Sequence, residues 1–266
     1  VTGGAGFIGS NYVHRLVSRG EKVTVFDNLS RGGAPRNLEW LKQTHGADAF
    51  RMIVGDVRDS AAITEAARGA DVIVHLAGQV AVTTSVVNPR EDFEINALGT
   101  FNTLEAARAS GRKPIFLYAS TNKVYGDTPN RLPLVEHETR FEIDPAHPYA
   151  AHGIDETMTL DQSTHSLFGV SKVAADVLVQ EYGRYFSLRT AVFRGGCLTG
   201  PAHSGTQLHG FLAYLMKCTL MGRPYTVFGH KAKQVRDNIH SADLIAAFDA
   251  VWRDPPRGEV FNMGGG

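Results

Sequence analysis

Thr2-Gly3-Gly4-Ala5-Gly6-Phe7-Ile8-Gly9 places three glycines at three-residue spacing directly ahead of a helical pattern. Residues 10–19 carry apolar side chains at Tyr12, Val13, Leu16 and Val17, the stripe of a helix lying on a sheet. Val1 and Thr2 read as the stub of a strand feeding the loop. Gly3 then permits a tight turn, Gly6 lets the backbone approach a pyrophosphate, and Gly9 allows close helix–strand packing. The helix N-terminus adds free N–H groups and partial positive charge.

The alternation continues. Strands are expected at 22–26, 50–54, 71–76, 114–119 and 189–193, and helices at 60–68, 91–110 and 168–185. Strands alternating with helices imply a parallel, doubly wound sheet, and right-handed crossovers leave few other topologies. The expected fold is α/β of Rossmann type. Residues 1–193 are expected to form the nucleotide-binding domain and 194–266 a smaller substrate-binding lobe. Within the first, 127–166 breaks the rhythm with Pro129, Pro133, Pro145, Pro148 and several histidines, and reads as a substrate-side flap.

Asp27 closes the second strand eighteen residues after Gly9, placed to accept hydrogen bonds from an adenosine ribose. A carboxylate there repels a 2′-phosphate, which favours NAD over NADP. Asp56, followed by Val57, is either an adenine contact or a helix cap.

Composition narrows the partners. Lys+Arg and Asp+Glu balance at 27 each, which points to neither nucleic acid nor an anionic membrane. No apolar run approaches the ~18 residues of a membrane span. Cys197 and Cys218 lack metal-ligand spacing, so no metal is expected and a reducing cytoplasm fits. With no initiator Met and no signal peptide, the chain reads as the interior of a longer protein.

These residues resemble the extended short-chain dehydrogenase/reductases that act on nucleotide sugars. The resemblance spans essentially the whole chain. It rests on the glycine loop, His75-Leu-Ala-Gly78, Ser120-Thr-Asn-Lys-Val-Tyr-Gly126, Ser171-Lys172 and Arg236-Asp-Asn-Ile-His240. Within the family the chain is most similar to the CDP-paratose 2-epimerases (CDP-tyvelose epimerases), through Asp27-Asn-Leu-Ser-Arg31, Gln79-Val-Ala-Val-Thr-Thr-Ser85, Asp92-Phe-Glu-Ile-Asn96 and Lys233-Gln-Val-Arg-Asp237.

The resemblance implies NAD-dependent epimerisation of a nucleotide-linked sugar by transient hydride removal and return, with a CDP-sugar 2-epimerase first and a UDP-sugar 4-epimerase as alternative. It implies cofactor contacts from the glycine loop (Gly3, Gly6, Phe7, Ile8, Gly9) and from Asp27, Asn28, Ser30 and Arg31. Asp56, Val57, Leu76, Ala77, Gly78 and Lys172 complete that set. Substrate contacts are implied for Gln79, Thr83, Asn96, Thr121, Asn122 and Arg236, the last binding the nucleotide diphosphate. A homodimer through the helices at 91–110 and 168–185 is also implied.

One position departs from the pattern. The family's Tyr, four residues before the catalytic Lys172, is Phe168 here, and a phenyl ring has no proton to exchange. Losing a general base costs ~10²- to 10⁴-fold in rate. Thr121 supplies a hydroxyl but is too weak an acid to act alone. His165, three residues before Phe168, is a substitute base, as are Tyr149, His147 and His152 in the insertion and a desolvated Lys172. An inactivated variant and a non-catalytic NAD and nucleotide-sugar binder are the other readings. Asn122-Lys123, with no carboxylate after Thr121, argues against the elimination chemistry of sugar dehydratases.

Overall fold

The computed structural model describes residues 1–207 and 209–265. Helix α1 (Phe7–Ser18) follows the glycine loop and leads to β1 (Thr24–Asp27), α2 (Ala34–His45), β2 (Arg51–Val54), α3 (Ser60–Ala67) and β3 (Val72–His75). Two short helices, α4 (Val82–Val87) and α5 (Pro89–Phe93), run through a π-helical turn, Glu94–Leu98, into α6 (Gly99–Ala109). Then come β4 (Ile115–Thr121), the hairpin β5 (Leu134–Glu136) and β6 (Phe141–Ile143), α7 (Tyr149–His152) and the long α8 (Leu167–Phe186). The remainder is β7 (Thr190–Gly195), β8 (Cys197–Thr199), α9 (Phe211–Leu220), β9 (Asn238–His240), α10 (Ser241–Arg253) and β10 (Glu259–Met263).

Thr2 bridges both Phe26 and His75 in parallel register, so Val1 and Thr2 stand between β1 and β3. β1 pairs with β2 on one side, and β3, β4, β7 and β10 follow in parallel on the other. The chain thus reverses its direction of travel at the glycine loop, the switch point where an open α/β sheet leaves a crevice. Tyr12, Leu41, Phe193 and Phe248 fill the core between the sheet and α1, α2 and α10. Leu104, Phe116, Val179 and Val192 fill the core under α3, α6 and α8.

One expectation changes. The boundary at 193/194 cuts through the main sheet, because β10 returns to pair with β7 from Glu259↔Ala191 to Met263↔Gly195. Helix α10 likewise belongs to the α1 layer, where Asp249 accepts from Arg15 at 2.7 Å. The insertion at 127–166 has secondary structure of its own. It carries β5, β6 and α7, and Met158 packs with Val124 and Tyr125 in a core of its own. Helix α2 and strand β10 escaped the sequence reading, the latter because a five-residue strand beside glycine-rich turns gives weak periodicity.

Candidate active site

The glycine loop is shaped by contacts that exclude side chains. Gly3 has φ +65°, and a Cβ there would stand 2.7 Å from the Ala77 nitrogen. A Cβ on Gly9 would collide with the Gly3 carbonyl oxygen. The first-turn N–H groups of Phe7 and Ile8 have no helical acceptor, and α1 has no acidic residue in its first turn. Both oxygens of Asp27 brace the loop, accepting from the Ala5 N–H at 3.0 Å and the Leu29 N–H at 2.8 Å. Each oxygen keeps a second lone pair for a ribose hydroxyl.

These residues border a cleft of about 240 Å³ lined by Gly6, Asp27, Asn28, Ser30, Arg31, Asp56, Val57, Ala77 and Gly78. Asp56 accepts a bidentate pair from Arg58 and a 3.0 Å bond from the Asn28 amide, which hold its carboxyl down at about 2. Leu76 donates its N–H to the Thr2 hydroxyl at 3.2 Å, tying the third wall to the strand stub. A glycine cradle, a helix N-terminus and a carboxylate at the end of β1 fit a dinucleotide.

Lys172 and Phe168 share one face of α8, four residues apart. Lys172 donates from Nζ to the Ala119 carbonyl oxygen at 2.8 Å and lies 4.4 Å over the Tyr118 ring. Burial brings its ammonium down to about 7 against the pull of Asp176 and Asp92. The Phe168 ring is buried, and its N–H donates to the Ser85 hydroxyl at 3.1 Å. Thr121, half-buried at the end of β4, accepts from the Lys123 N–H at 3.3 Å.

The substitute bases fare differently. His165 points into the insertion, where Nε2 donates to the Leu160 carbonyl at 2.9 Å and Nδ1 is buried with no partner among the described residues. Tyr149 packs in the insertion's own core, and His147 Nδ1 accepts from the Tyr149 N–H at 3.2 Å. Tyr125 is structural, its hydroxyl bonded to Arg194 and Asn262.

On the substrate side, three expected contacts are changed. The Asn96 amide is used inside the protein, accepting from the Gln79 N–H at 3.0 Å and donating to Ser171 at 3.0 Å. The Gln79 side chain closes on Asp92 at 2.9 Å and on Ala81 at 2.7 Å, leaving no free amide for a sugar. Helical rotation turns Thr83 outward, and Thr84 lines the cleft in its place. Asn122 stays exposed beside Thr121. Arg236 is exposed and makes no ion pair among the described residues. Its neighbour Asp237 instead accepts from the Gly265 N–H at 2.7 Å. Partial burial and the charge of Arg236 hold the Lys123 ammonium below its usual range.

The buried carboxylate Asp92 escaped the sequence reading as a site residue. It accepts from Ser171 at 2.5 Å, and burial raises its carboxyl. Its spacing of four from Asn96 along one helical run was the available signal. Among the described residues, no group of three or more His, Cys, Asp or Glu is placed to share a metal ion.

Glycine cradle, Asp27 and the Phe168/Lys172 pair together define the dinucleotide-binding half of a short-chain dehydrogenase/reductase. The family model described as GDP-mannose 4,6 dehydratase matches residues 1–154, and that of the NAD dependent epimerase/dehydratase family matches 151–264. CDP-paratose 2-epimerase of Salmonella typhi is 39% identical over all of this chain and 78% of its own. UDP-glucose 4-epimerase of Mycolicibacterium smegmatis is 32% identical over all of this chain and 76% of its own. A Streptomyces venezuelae dTDP-glucose 4,6-dehydratase, solved with NAD, superposes with a TM-score of 0.80 at 27% identity, covering 100% of this chain and 74% of that one. The Thermus thermophilus UDP-glucose 4-epimerase complex with NAD gives 0.75 at 28%, covering 99% and 76%. The chain belongs to the NAD-dependent epimerase/dehydratase family of extended short-chain dehydrogenase/reductases, and its cofactor is NAD.

Proposed function

We propose that this protein epimerises a nucleotide-linked sugar, and that the substrate is a CDP-sugar inverted at C2. Similarity to CDP-paratose 2-epimerase along the whole chain supports the nucleotide and the carbon. Asn122 and Lys123 after Thr121 support epimerisation over elimination, since neither offers a carboxylate to move a proton at a neighbouring carbon. UDP-sugar 4-epimerisation is the related alternative, supported by the 32% identical relative.

Bound NAD supplies a reversible acceptor for the hydride of the sugar carbon. The protein's residues bind, orient and move the proton. The α1 N-terminus and Arg31 offset the negative charge of the cofactor diphosphate. Arg236 and Lys123 meet the substrate diphosphate, the planar guanidinium as a fork and the ammonium as a point charge. Thr121 donates a hydrogen bond that orients the reacting oxygen. Lys172 takes the hydroxyl proton that Phe168 cannot. The observation that carries this assignment is the Lys172–Ala119 bond, which anchors the ammonium at the strand end bearing Thr121. A value near 7 leaves it substantially neutral at neutral pH, as a general base requires.

The same reading includes a homodimer, supported by exposed Phe93, Leu98 and Phe101 on one helical run and Val170 and Val177 on α8. The two free thiols suit a cytoplasmic setting.

Phe168 favours a second reading, a binder of NAD and nucleotide sugar without turnover. NMR of CDP-paratose, CDP-glucose and UDP-glucose incubated with the NAD-loaded protein separates these. A 2-epimer of either CDP-sugar supports the proposal, and a 4-epimer of UDP-glucose supports the alternative. Binding with no product from any of the three supports the binder.

A further inference from the structure

Residues 201–204 lie against the start of α1, through Asn11 on Pro201 and His203 on Phe7, where the glycine loop would receive a dinucleotide's diphosphate. Among the described residues, the side-chain hydrogen bonds that fix them come from the nucleotide-binding half. Asn11 donates to the Pro201 carbonyl at 2.9 Å, and the Arg36 guanidinium donates to the Ser204 hydroxyl at 3.1 Å. Asn37 donates both to the Ala202 carbonyl at 3.3 Å and to the Ala5 carbonyl, inside the glycine loop, at 3.1 Å. His203 lies flat on Phe7, with ring centroids 4.2 Å apart and parallel planes. The backbone is bent to allow this. Ala202 is held at a left-handed φ of 64°, and a Cβ on Gly210 would stand 2.7 Å from the His203 ring.

The groups gathered there match an anion. Arg31 lines the cofactor cleft and makes no ion pair among the described residues. His203 Nδ1 is buried with no partner among the described residues. His209 stands edge-on to His203 at 6.0 Å. Burial and the charge of Arg31 hold both imidazoles down, His209 to about 4, so both rings are neutral at pH 7 and the guanidinium carries the only charge of the three. An unmatched buried ring nitrogen is costly unless a ligand completes it, and the exposed Arg31 guanidinium at the cleft offers its charge to an anion.

We propose that residues 201–204, with His203 stacked on Phe7, His209 beside it and Arg31 opposite, form a clasp over the diphosphate of bound NAD that slows its release. The clasp rests on NAD binding alone and not on the sugar or the reaction, so it is tested without turnover.

The test follows NAD appearing in ultrafiltrates of the loaded, desalted protein, by absorbance at 260 nm, for wild type, His203→Ala and Arg31→Ala. Release is expected to be about tenfold faster or more in both variants, the scale of one lost hydrogen bond to a charged group. Melting without NAD is expected to stay close to wild type, while the rise in Tm on adding NAD shrinks. Unchanged release from His203→Ala, or a melting loss equal with and without NAD, overturns the clasp and leaves His203 a packing residue. Should His203→Ala fail to fold, Asn11→Ala loosens the Pro201 attachment from the surface. Several-fold faster release from that variant supports the clasp, and wild-type release overturns it.

Discussion

Lys172 donates from Nζ to the carbonyl oxygen of Ala119 at 2.8 Å, and this bond ties the helix carrying Phe168 to the strand ending in Thr121. The ammonium sits at about 7 because burial outweighs the attraction of Asp176 and Asp92. A base must be neutral to act, so kcat/KM is expected to rise about tenfold per pH unit up to about 7 and level off above it. A flat profile between pH 6 and 8 removes Lys172 as the base. Stability carries the same signature. The folded value lies below the ordinary 10.5, so the unfolded chain binds the extra proton between about 7 and 10.5, and stability rises with pH through that window. Lys172→Met is expected to flatten that slope in urea titrations and to abolish turnover.

Phe168→Tyr returns a phenol to the position four residues before Lys172. An increase of ~10²- to 10⁴-fold in kcat is expected if proton transfer limits the rate. Unchanged kcat in a variant that folds and binds NAD normally leaves the proton with Lys172.

Arg194 and Asp176 form a buried bidentate ion pair at 2.9 and 3.0 Å, and Ser120 donates to the same carboxylate at 2.6 Å. Asp176→Ala leaves the guanidinium uncompensated and is expected to cost ~3–5 kcal/mol in urea unfolding at pH 7. Asp176→Ala combined with Arg194→Met should recover part of the loss. Equal stability of single and double variants rejects the buried-pair account.

His75 is buried between the Thr2 hydroxyl at 2.7 Å and the Thr100 hydroxyl at 3.1 Å, and burial lowers its imidazole to about 3. The unfolded chain binds a proton that the folded one refuses between the ordinary 6.5 and about 3, so stability falls as pH drops through that window. The expected slope from this group approaches ~1.4 kcal/mol per pH unit. His75→Gln should reduce the acid slope measured by urea titration at pH 4 to 6.5, and an unaltered slope assigns the acid sensitivity elsewhere.

Phe101 is 40% exposed on α6 and Val170 46% exposed on α8. If these helices pair across a two-fold axis, Phe101→Asp with Val170→Asp gives a monomer by light scattering while wild type runs as a dimer. A monomeric wild type rejects the pairing.

The dinucleotide half was legible because its signals are local. Gly3, Gly6 and Gly9 are needed at fixed offsets by one turn, and Asp27 follows at the end of the next strand. Phe168 was legible through the family resemblance, which puts a Tyr four residues before Lys172. The substrate side was less so. Gln79 and Asn96 carry the side chains a sugar would want, yet each amide is used by a partner at least ten residues away, Asp92 for one and Ser171 for the other.

Spacing and periodicity determined the Rossmann-type sheet and the NAD cradle, since backbone geometry links each to its near neighbours in the chain, and the family resemblance added the missing phenol at Phe168. Tertiary structure alone decided that β10 returns to the main sheet, that Asp176 neutralises Arg194, that Lys172 loses its water, and that His203 lies on Phe7. Those outcomes depend on burial and on contacts between segments distant in sequence. Desolvation and long-range packing leave no mark on the spacing of residues along a chain.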